Sequence, residues 1–152
     1  MKQATINLAE GGFGRSAAGL VYAELSLHVD DLQFPDSQWT DFVVVVLMWW
    51  CSGLSRLLDG ESEPIAVRFM EGPYLVELGP INDERLHLVL VEDGLKRRIW
   101  EETDADARTL IRSVLSAAER TLTKCKDHGW WSDDATNLSA ATNDLRRALR
   151  EQ

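Results

Sequence analysis

The sequence predicts an α+β domain in which helices cover one face of an antiparallel β-meander sheet. Two patterns lead to this prediction: short segments in which apolar and polar residues alternate, and longer segments in which apolar residues recur every three or four positions. These segments follow one another in the order ββαββββαα, which gives about six strands. No repeat and no long linker interrupts the chain of 152 residues, so we expect a single domain over residues 1–152.

The first part of the chain predicts two strands and one helix. Apolar residues alternate over residues 4–8 and again over residues 20–29, which indicates two strands joined by a glycine-rich turn. From about residue 38 to residue 58 the apolar spacing is helical. Four consecutive valines favour a strand locally, but the pattern is longer than a strand. We therefore expect a helix, capped by Asp36 or Ser37.

The second part predicts four strands followed by two helices. The strands are expected at residues 65–69, 74–78, 86–90 and 95–99. Asp93-Gly94 predicts a two-residue hairpin turn that requires positive φ. Thr103–Asp106 resembles a capping box that opens the next helix. The last helix is expected to begin at about Asp134, and its acidic start and basic end match the helix dipole.

The net charge of −9 is distributed unevenly along the chain. Residues 1–93 hold 15 acidic and 5 basic residues, whereas residues 94–152 hold 10 acidic and 11 basic residues. The acidic isoelectric point of about 4.8 argues against binding to nucleic-acid phosphates or to anionic lipid. It favours a basic protein partner, or a solvated surface that keeps the protein soluble.

Cysteine content and hydropathy predict a cytoplasmic protein with no membrane segment. The longest apolar run, Phe42–Cys51, has ten residues, whereas a bilayer-spanning helix needs about 20. The N-terminal residues lack the apolar stretch of a secretory signal. Cys51 and Cys125 are far apart and have no CxxC partner, which is typical of reduced thiols.

No motif in the sequence predicts catalysis, a metal site or a cofactor. The stretch Gly11–Gly19 resembles a phosphate-binding loop, but apolar residues follow where lysine and serine or threonine are required. His28, His87 and His128 lack the spacing of zinc ligands. Cys51 stands beside two tryptophans, where a thiolate is poorly solvated. We therefore expect a protein that is not an enzyme.

Two acidic clusters and a pair of tryptophans are the candidate partner-binding residues. The carboxylates either form a solvated coat or attract a cationic partner. The tryptophans either anchor a partner or close the end of the core. The candidates are Asp30, Asp31, Asp36, Asp59, Glu61, Glu63, Trp130 and Trp131.

Part of the sequence resembles a known class of small bacterial proteins. The run from Trp39 through Trp50, followed by Phe69–Tyr74 within a strand meander, resembles the small acidic immunity proteins that bacteria encode beside polymorphic and contact-dependent toxins. The resemblance implies a cytoplasmic antidote that binds a cognate toxin domain, often a basic nuclease, and blocks its active site. It assigns no individual functional residue.

The sequence therefore predicts a non-enzymatic binding protein whose partner is a basic toxin domain. We expect it to bind neither nucleic acid nor membrane, and to be a monomer or a homodimer. Two alternatives come from other classes of function. One is a small hydrolase or transferase that uses a carboxylate pair or His87. The other is a homo-oligomeric structural protein that pairs through an open sheet edge or a tryptophan face.

Overall fold

The computed structural model describes residues 1–152 and contains two antiparallel sheets and three helices. The first sheet consists of β1 (Ala4–Leu8), β2 (Gly14–Arg15), β3 (Val21–Val29), β4 (Leu32–Phe34) and β5 (Thr40–Asp41). The second sheet consists of β6 (Ile65–Arg68), β7 (Tyr74–Asn82), β8 (Arg85–Asp93) and β9 (Arg97–Asp106). The helices are α1 (Val43–Leu58), α2 (Ala107–Asp127) and α3 (Asp133–Arg150).

The α+β prediction is confirmed, and two details of the predicted sheet are wrong. The structure has nine strands rather than about six, because β2, β4 and β5 are short segments of two or three residues that pair with β3. The strands also form two sheets rather than one. In the first sheet β3 is central, since β1 and β4 pair with overlapping residues of it and therefore occupy its two edges. In the second sheet β6 to β9 form the predicted meander.

The two sheets are joined at one corner by a single parallel bridge. Lys2, just before β1, lies beside Ala105 near the end of β9. The Lys2 amide donates to the Asp104 carbonyl at 2.9 Å, and the Asp106 amide donates to the Lys2 carbonyl at 3.3 Å.

An aromatic cluster forms a second contact between the sheets. Phe34 and Trp39 come from the first sheet and its loops, and Phe69, Tyr74 and Trp100 come from the second. Phe34 and Trp100 meet edge to face with centroids 5.2 Å apart, and Trp39 and Tyr74 do so at 5.3 Å. Such pairs stabilise a core beyond their buried area.

Asp41 is a buried carboxylate at the junction of the two sheets and α1. It is 1% exposed. Its Oδ2 accepts from the Trp39 indole at 2.9 Å and from the Glu71 amide at 3.3 Å, and its Oδ1 accepts from the Phe42 amide at 2.7 Å. At Gly72, where φ is +142°, a Cβ would lie 2.9 Å from the Trp39 ring, so only glycine fits there. Asp41 thus ties the β6–β7 turn to the first sheet.

The first helix begins later than the sequence predicts. Residues 40–41 pair with β3 as β5, so α1 starts at Val43 rather than near residue 38. Phe42 precedes the helix without a side-chain cap, so neither Asp36 nor Ser37 caps it. The valines are helical because packing outweighs their preference for strands. Ten of the 16 residues of α1 are buried, including Trp50.

The helices pack in layers on the sheets. α1 contacts β3 and β6, α2 contacts β1, and α3 packs on α1 and α2.

The predicted capping box is wrong, because Thr103 to Asp106 belong to β9. The cap of α2 is Asp106 alone, whose side chain accepts from the Thr109 amide at 2.9 Å. The β8–β9 turn has three residues and no positive φ at Gly94, so the predicted two-residue turn is also wrong. None of the three helices combines the length and apolarity that crossing a membrane requires.

Replacement of Asp41 by alanine is expected to lower the free energy of unfolding by about 3 kcal/mol, because three partly buried donors lose their buried acceptor. Asp36→Ala is the matched control, since Asp36 is exposed and accepts from the Gln38 amide within its own turn. It should change stability by about 0.5 kcal/mol. Chemical denaturation of both variants measures the difference, and equal losses would contradict the role of Asp41.

Replacement of Thr121 by valine is expected to raise the free energy of unfolding by about 1 kcal/mol. Thr121 is fully buried in α2 and its hydroxyl has no hydrogen-bond partner, so valine removes an unsatisfied group at nearly constant volume. Thr142→Val in α3 is the control, because the Thr142 hydroxyl donates to the Leu138 carbonyl at 2.7 Å. Denaturation should show a gain for the first variant only.

Candidate functional site

Three acidic connections share one end of the molecule. The β3–β4 turn carries Asp30 and Asp31, the β7–β8 turn carries Asp83 and Glu84, and the loop that begins at Asp59 follows α1. We call the surface formed by these five residues the acidic end. All five side chains are exposed.

A series of contacts links the β3–β4 turn, the β7–β8 turn and the loop after α1. Leu58, next to Asp59, lines a cleft together with Asp83 and Glu84. The Glu84 carbonyl accepts from the Ala107 amide at 2.9 Å, at the start of α2. From there β9 leads through its bridge with Lys2 to the first sheet, where the Gln3 carbonyl accepts from the Asp30 amide at 3.0 Å. The β7–β8 turn therefore lies between the other two connections.

Both acidic turns hold non-glycine residues at positive φ. The φ angles are +49° at Asp30, +50° at Asp83 and +65° at Glu84. Aspartate tolerates this conformation better than most residues, and Asp-Gly is a common two-residue hairpin turn, so Glu84 is the one side chain here at a position that usually carries glycine. The Asp30 carboxylate also accepts from the Gln3 amide at 3.1 Å, a hydrogen bond that glycine would remove.

A cleft of about 360 Å³ opens at the acidic end. Apolar side chains form part of its wall, and the two carboxylates of the β7–β8 turn stand beside Arg108 and Gln152. The Gln152 amide closes one side by donating to the Leu58 carbonyl at 3.3 Å. The apolar lining residues are Leu58, Ile81, Ala107, Ile111 and Leu149. The cleft is large enough for one or two side chains of a partner.

Lys2 borders the acidic end and already has a carboxylate partner. Lys2 Nζ lies 2.8 Å from a carboxylate oxygen of Glu101, and this hydrogen bond raises the pKa of Lys2. The negative charge of Asp30 acts on Lys2 in the same direction. The positive charge of Lys2 is therefore already paired with a carboxylate of the same chain.

The other predicted acidic residues have different surroundings. Asp36 lies on the β4–β5 connection, beside the middle of β3 rather than at its end. Glu61 is half-buried, with its carboxylate 3.6 Å from the guanidinium of Arg56. Glu63 is exposed in the same loop as Asp59. The structure thus brings Asp59 to the acidic end, keeps Glu63 exposed further along the same loop, and leaves Asp36 on the side of the molecule.

The two loop tryptophans lie at the opposite end. They follow α2, whose 21 residues span about 30 Å from the acidic end. Trp130 packs against the core and stacks on His128 with centroids 4.4 Å apart. Trp131 is 47% exposed, and its indole donates to the Thr136 hydroxyl at 3.0 Å. The acidic loops and Trp131 therefore do not form one surface.

Sequence reasoning missed Asp83 and Glu84. The stretch Asn82–Arg85 separates two alternating segments and has the polarity of a turn, so the signal was present. What the sequence does not reveal is that this turn lies beside the start of α2 and the end of α1, because that neighbourhood depends on the packing of both helices against the sheet.

His87 forms the most polar cluster on the outer face of the second sheet. Its Nδ1 lies 2.8 Å from an Asp104 oxygen and its Nε2 lies 3.1 Å from a Glu102 oxygen. Both contacts are hydrogen bonds only when the ring is doubly protonated. The Asp104 carboxylate, followed by that of Glu102, therefore raises the pKa of His87. The carboxylates face different ring nitrogens, and no group of three or more ligating side chains is arranged to hold a metal ion.

The cysteines are buried and free. Burial raises the pKa of the Cys51 thiol to about 12, and its Sγ lies 4.0 Å from the Thr142 hydroxyl. Burial also raises the pKa of Cys125. Neither thiol has the low pKa and the access to solvent that a nucleophilic cysteine needs.

Comparison with known protein families, with curated proteins and with solved structures found no match to this chain. Its chemistry is therefore judged from its own residues.

The two histidines with shifted pKa values are expected to titrate on opposite sides of 6.5. Burial lowers the pKa of His28, whereas two carboxylates raise that of His87. His87 consequently stabilises the fold below about pH 6.5, and this contribution is lost as the pH rises through its folded-state pKa. Imidazole NMR titration measures both values. Asp104→Asn should lower the pKa of His87 and leave His28 as the internal control; an unchanged His87 would contradict the assignment.

Proposed function

We propose that this protein is a non-enzymatic binding protein whose acidic end receives a basic protein partner. The observation that carries the proposal is a cleft with apolar lining that is bordered by the two carboxylates of the β7–β8 turn and by the end of α1, where the acidic loop after that helix begins. Together with the resemblance noted above, it leads us to propose a cytoplasmic immunity protein that binds a cognate toxin domain, such as a basic nuclease. The buried, unpaired cysteines are compatible with a reducing compartment.

In the proposed complex the carboxylates of the acidic end occupy a cationic groove that otherwise holds the phosphates of a substrate. Carboxylates at exposed turn tips reach into such a groove without movement of the sheets. Their combined field accelerates encounter, and steered association reaches about 10⁸–10⁹ M⁻¹s⁻¹ at low salt. The partner's active site is then blocked by occupancy rather than by chemistry.

The cleft supplies the apolar part of the proposed interface. Binding energy is concentrated in a few anchors that fill desolvated pockets, and a cleft bordered by carboxylates suits a long side chain with a cationic end. Leu58 and Ile111 would contact the aliphatic portion, and Glu84 the charge. Trp130 and Trp131 lie about 30 Å away and are not part of this interface.

The alternative of a small hydrolase has weaker support. The ring nitrogens of His87 are both engaged by carboxylates, and neither cysteine is activated. A general base needs a free nitrogen within reach of a substrate proton. Binding through the acidic end requires no such group.

The test is association with the protein encoded by the neighbouring gene, measured by surface plasmon resonance. The double variant Asp31→Lys with Glu84→Lys is expected to slow association at least about tenfold at low salt, because it reverses charge in two turns of the acidic end. The difference should shrink at high salt.

The matched control is Glu10→Lys with Asp127→Lys, which makes the same change of charge at exposed positions away from the acidic end. It should slow association less than twofold. Absence of a nanomolar complex with the neighbouring protein would refute the immunity function, and equal effects of the two double variants would refute the acidic end as its interface.

A further inference from the structure

The last strand of the second sheet has one unpaired edge. β9 pairs with β8 along one edge, and its other edge is occupied only at the bridge between Lys2 and Ala105. Residues 97–103 therefore have no strand partner on that edge. Arg97, Arg98, Ile99 and Glu102 are exposed along it. An open edge of this length is a template for pairing with another strand.

The other edges of the fold are protected. β2 and β5 have two residues each and β4 has three, so none offers a useful template. β1 has five residues, and Ser113 and Arg120 of α2 hydrogen-bond to its backbone. β6 has four residues and follows Pro64, which lacks an amide hydrogen. β9 has ten residues and no proline, and its register with β8 shifts by one residue at a bulge at Trp100. β9 is therefore the longest strand of the fold whose backbone amide and carbonyl groups have no strand partner along most of one edge.

The charges along β9 are arranged for pairing with an identical strand. Three basic residues, Lys96 to Arg98, precede the apolar pair Ile99 and Trp100, and acidic residues follow. The acidic residues are Glu101, Glu102 and Asp104. In antiparallel alignment with a second copy, the basic half of each strand faces the acidic half of the other. In parallel alignment, like charges would face each other and repel.

The basic half has side chains without a carboxylate partner. Neither Lys96 nor Arg98 takes part in an ion pair within the chain, and the Arg98 guanidinium lies over the Trp100 ring, 5.7 Å from its centroid. Leu95 is fully exposed at the turn, and Ile99 is 53% exposed, so apolar surface also remains uncovered beside the edge. Self-pairing would cover this surface.

We propose that two copies of this protein pair through antiparallel β9 strands, centred on Ile99 or Trp100, into one continuous sheet of eight strands. The pairing is isologous, because each strand contributes the same residues to both halves of the interface. Backbone hydrogen bonds supply affinity, and the opposed charges set direction and register. The proposal is independent of the binding function above, since the acidic end lies outside residues 97–103.

The first measurement is the mass of the wild-type protein in solution by sedimentation velocity between micromolar and hundred-micromolar concentration. We expect a reversible dimer that weakens with added salt. A monomer at every concentration would overturn the proposal.

Two charge-reversal variants then identify the interface. Lys96→Glu with Arg98→Glu makes both halves of β9 predominantly acidic, and Glu101→Lys with Glu102→Lys makes both halves basic. Each variant alone should be monomeric at the concentrations at which the wild type dimerises, which requires a dimer dissociation constant raised at least about tenfold. An equimolar mixture of the two should form a one-to-one heterodimer, because opposite charges again face each other. Dimerisation of either variant alone, or no heterodimer, would overturn the proposal.

The control is Arg112→Glu with Lys126→Glu, which reverses two exposed basic residues on α2 and should leave the dimer unchanged. Circular dichroism checks that each variant is folded. If Glu101→Lys with Glu102→Lys is unfolded, Glu102→Lys alone replaces it, because Glu101 also holds Lys2. The masses of the two variants alone and of their equimolar mixture then test the proposal in the same way.

Discussion

The fold depends on a buried carboxylate at the junction of its layers. Asp41 accepts hydrogen bonds from the Trp39 indole, from the first backbone amide after β5 and from the turn between β6 and β7. Two of these donors flank Asp41 in the chain, whereas the Glu71 amide comes from the distant β6–β7 turn. A buried carboxylate is stable only when donors surround it, so Asp41 fixes this turn against the segment that leads into α1. The start of α1 and the aromatic cluster between the sheets follow from that arrangement.

The acidic end is a consequence of this layered arrangement. Helix α1 starts beside Asp41 and ends at Leu58, α2 starts where β9 ends, and both termini therefore meet the β7–β8 turn. The acidic residues are distant in the sequence and become neighbours because the connections of the layers share one end. Glu84 carries its charge at positive φ, at a turn position that usually holds glycine.

Local patterns in the sequence predicted most of the elements but not their assembly. Alternation identified β3, β6 and β7, and helical spacing identified all three helices, because burial of one face leaves a period in the sequence. The short strands β4 and β5 left no period, and the start of α1 was displaced because Thr40 and Asp41 pair with β3. The distance of Trp131 from the acidic loops could not be predicted, since it depends on the direction in which α2 leaves β9.

The bridge between Lys2 and Ala105 has a consequence for synthesis on the ribosome. The N-terminal strand emerges first, but the strand beside Lys2 is complete only about a hundred residues later. Both sheets are built from strands close together in the chain and can assemble from local contacts, but the bridge between them must wait for β9. During that interval the face of α1 that packs on β6 and β7 is uncovered until those strands emerge. The two sheets therefore cannot be joined at this corner until β9 has left the exit tunnel.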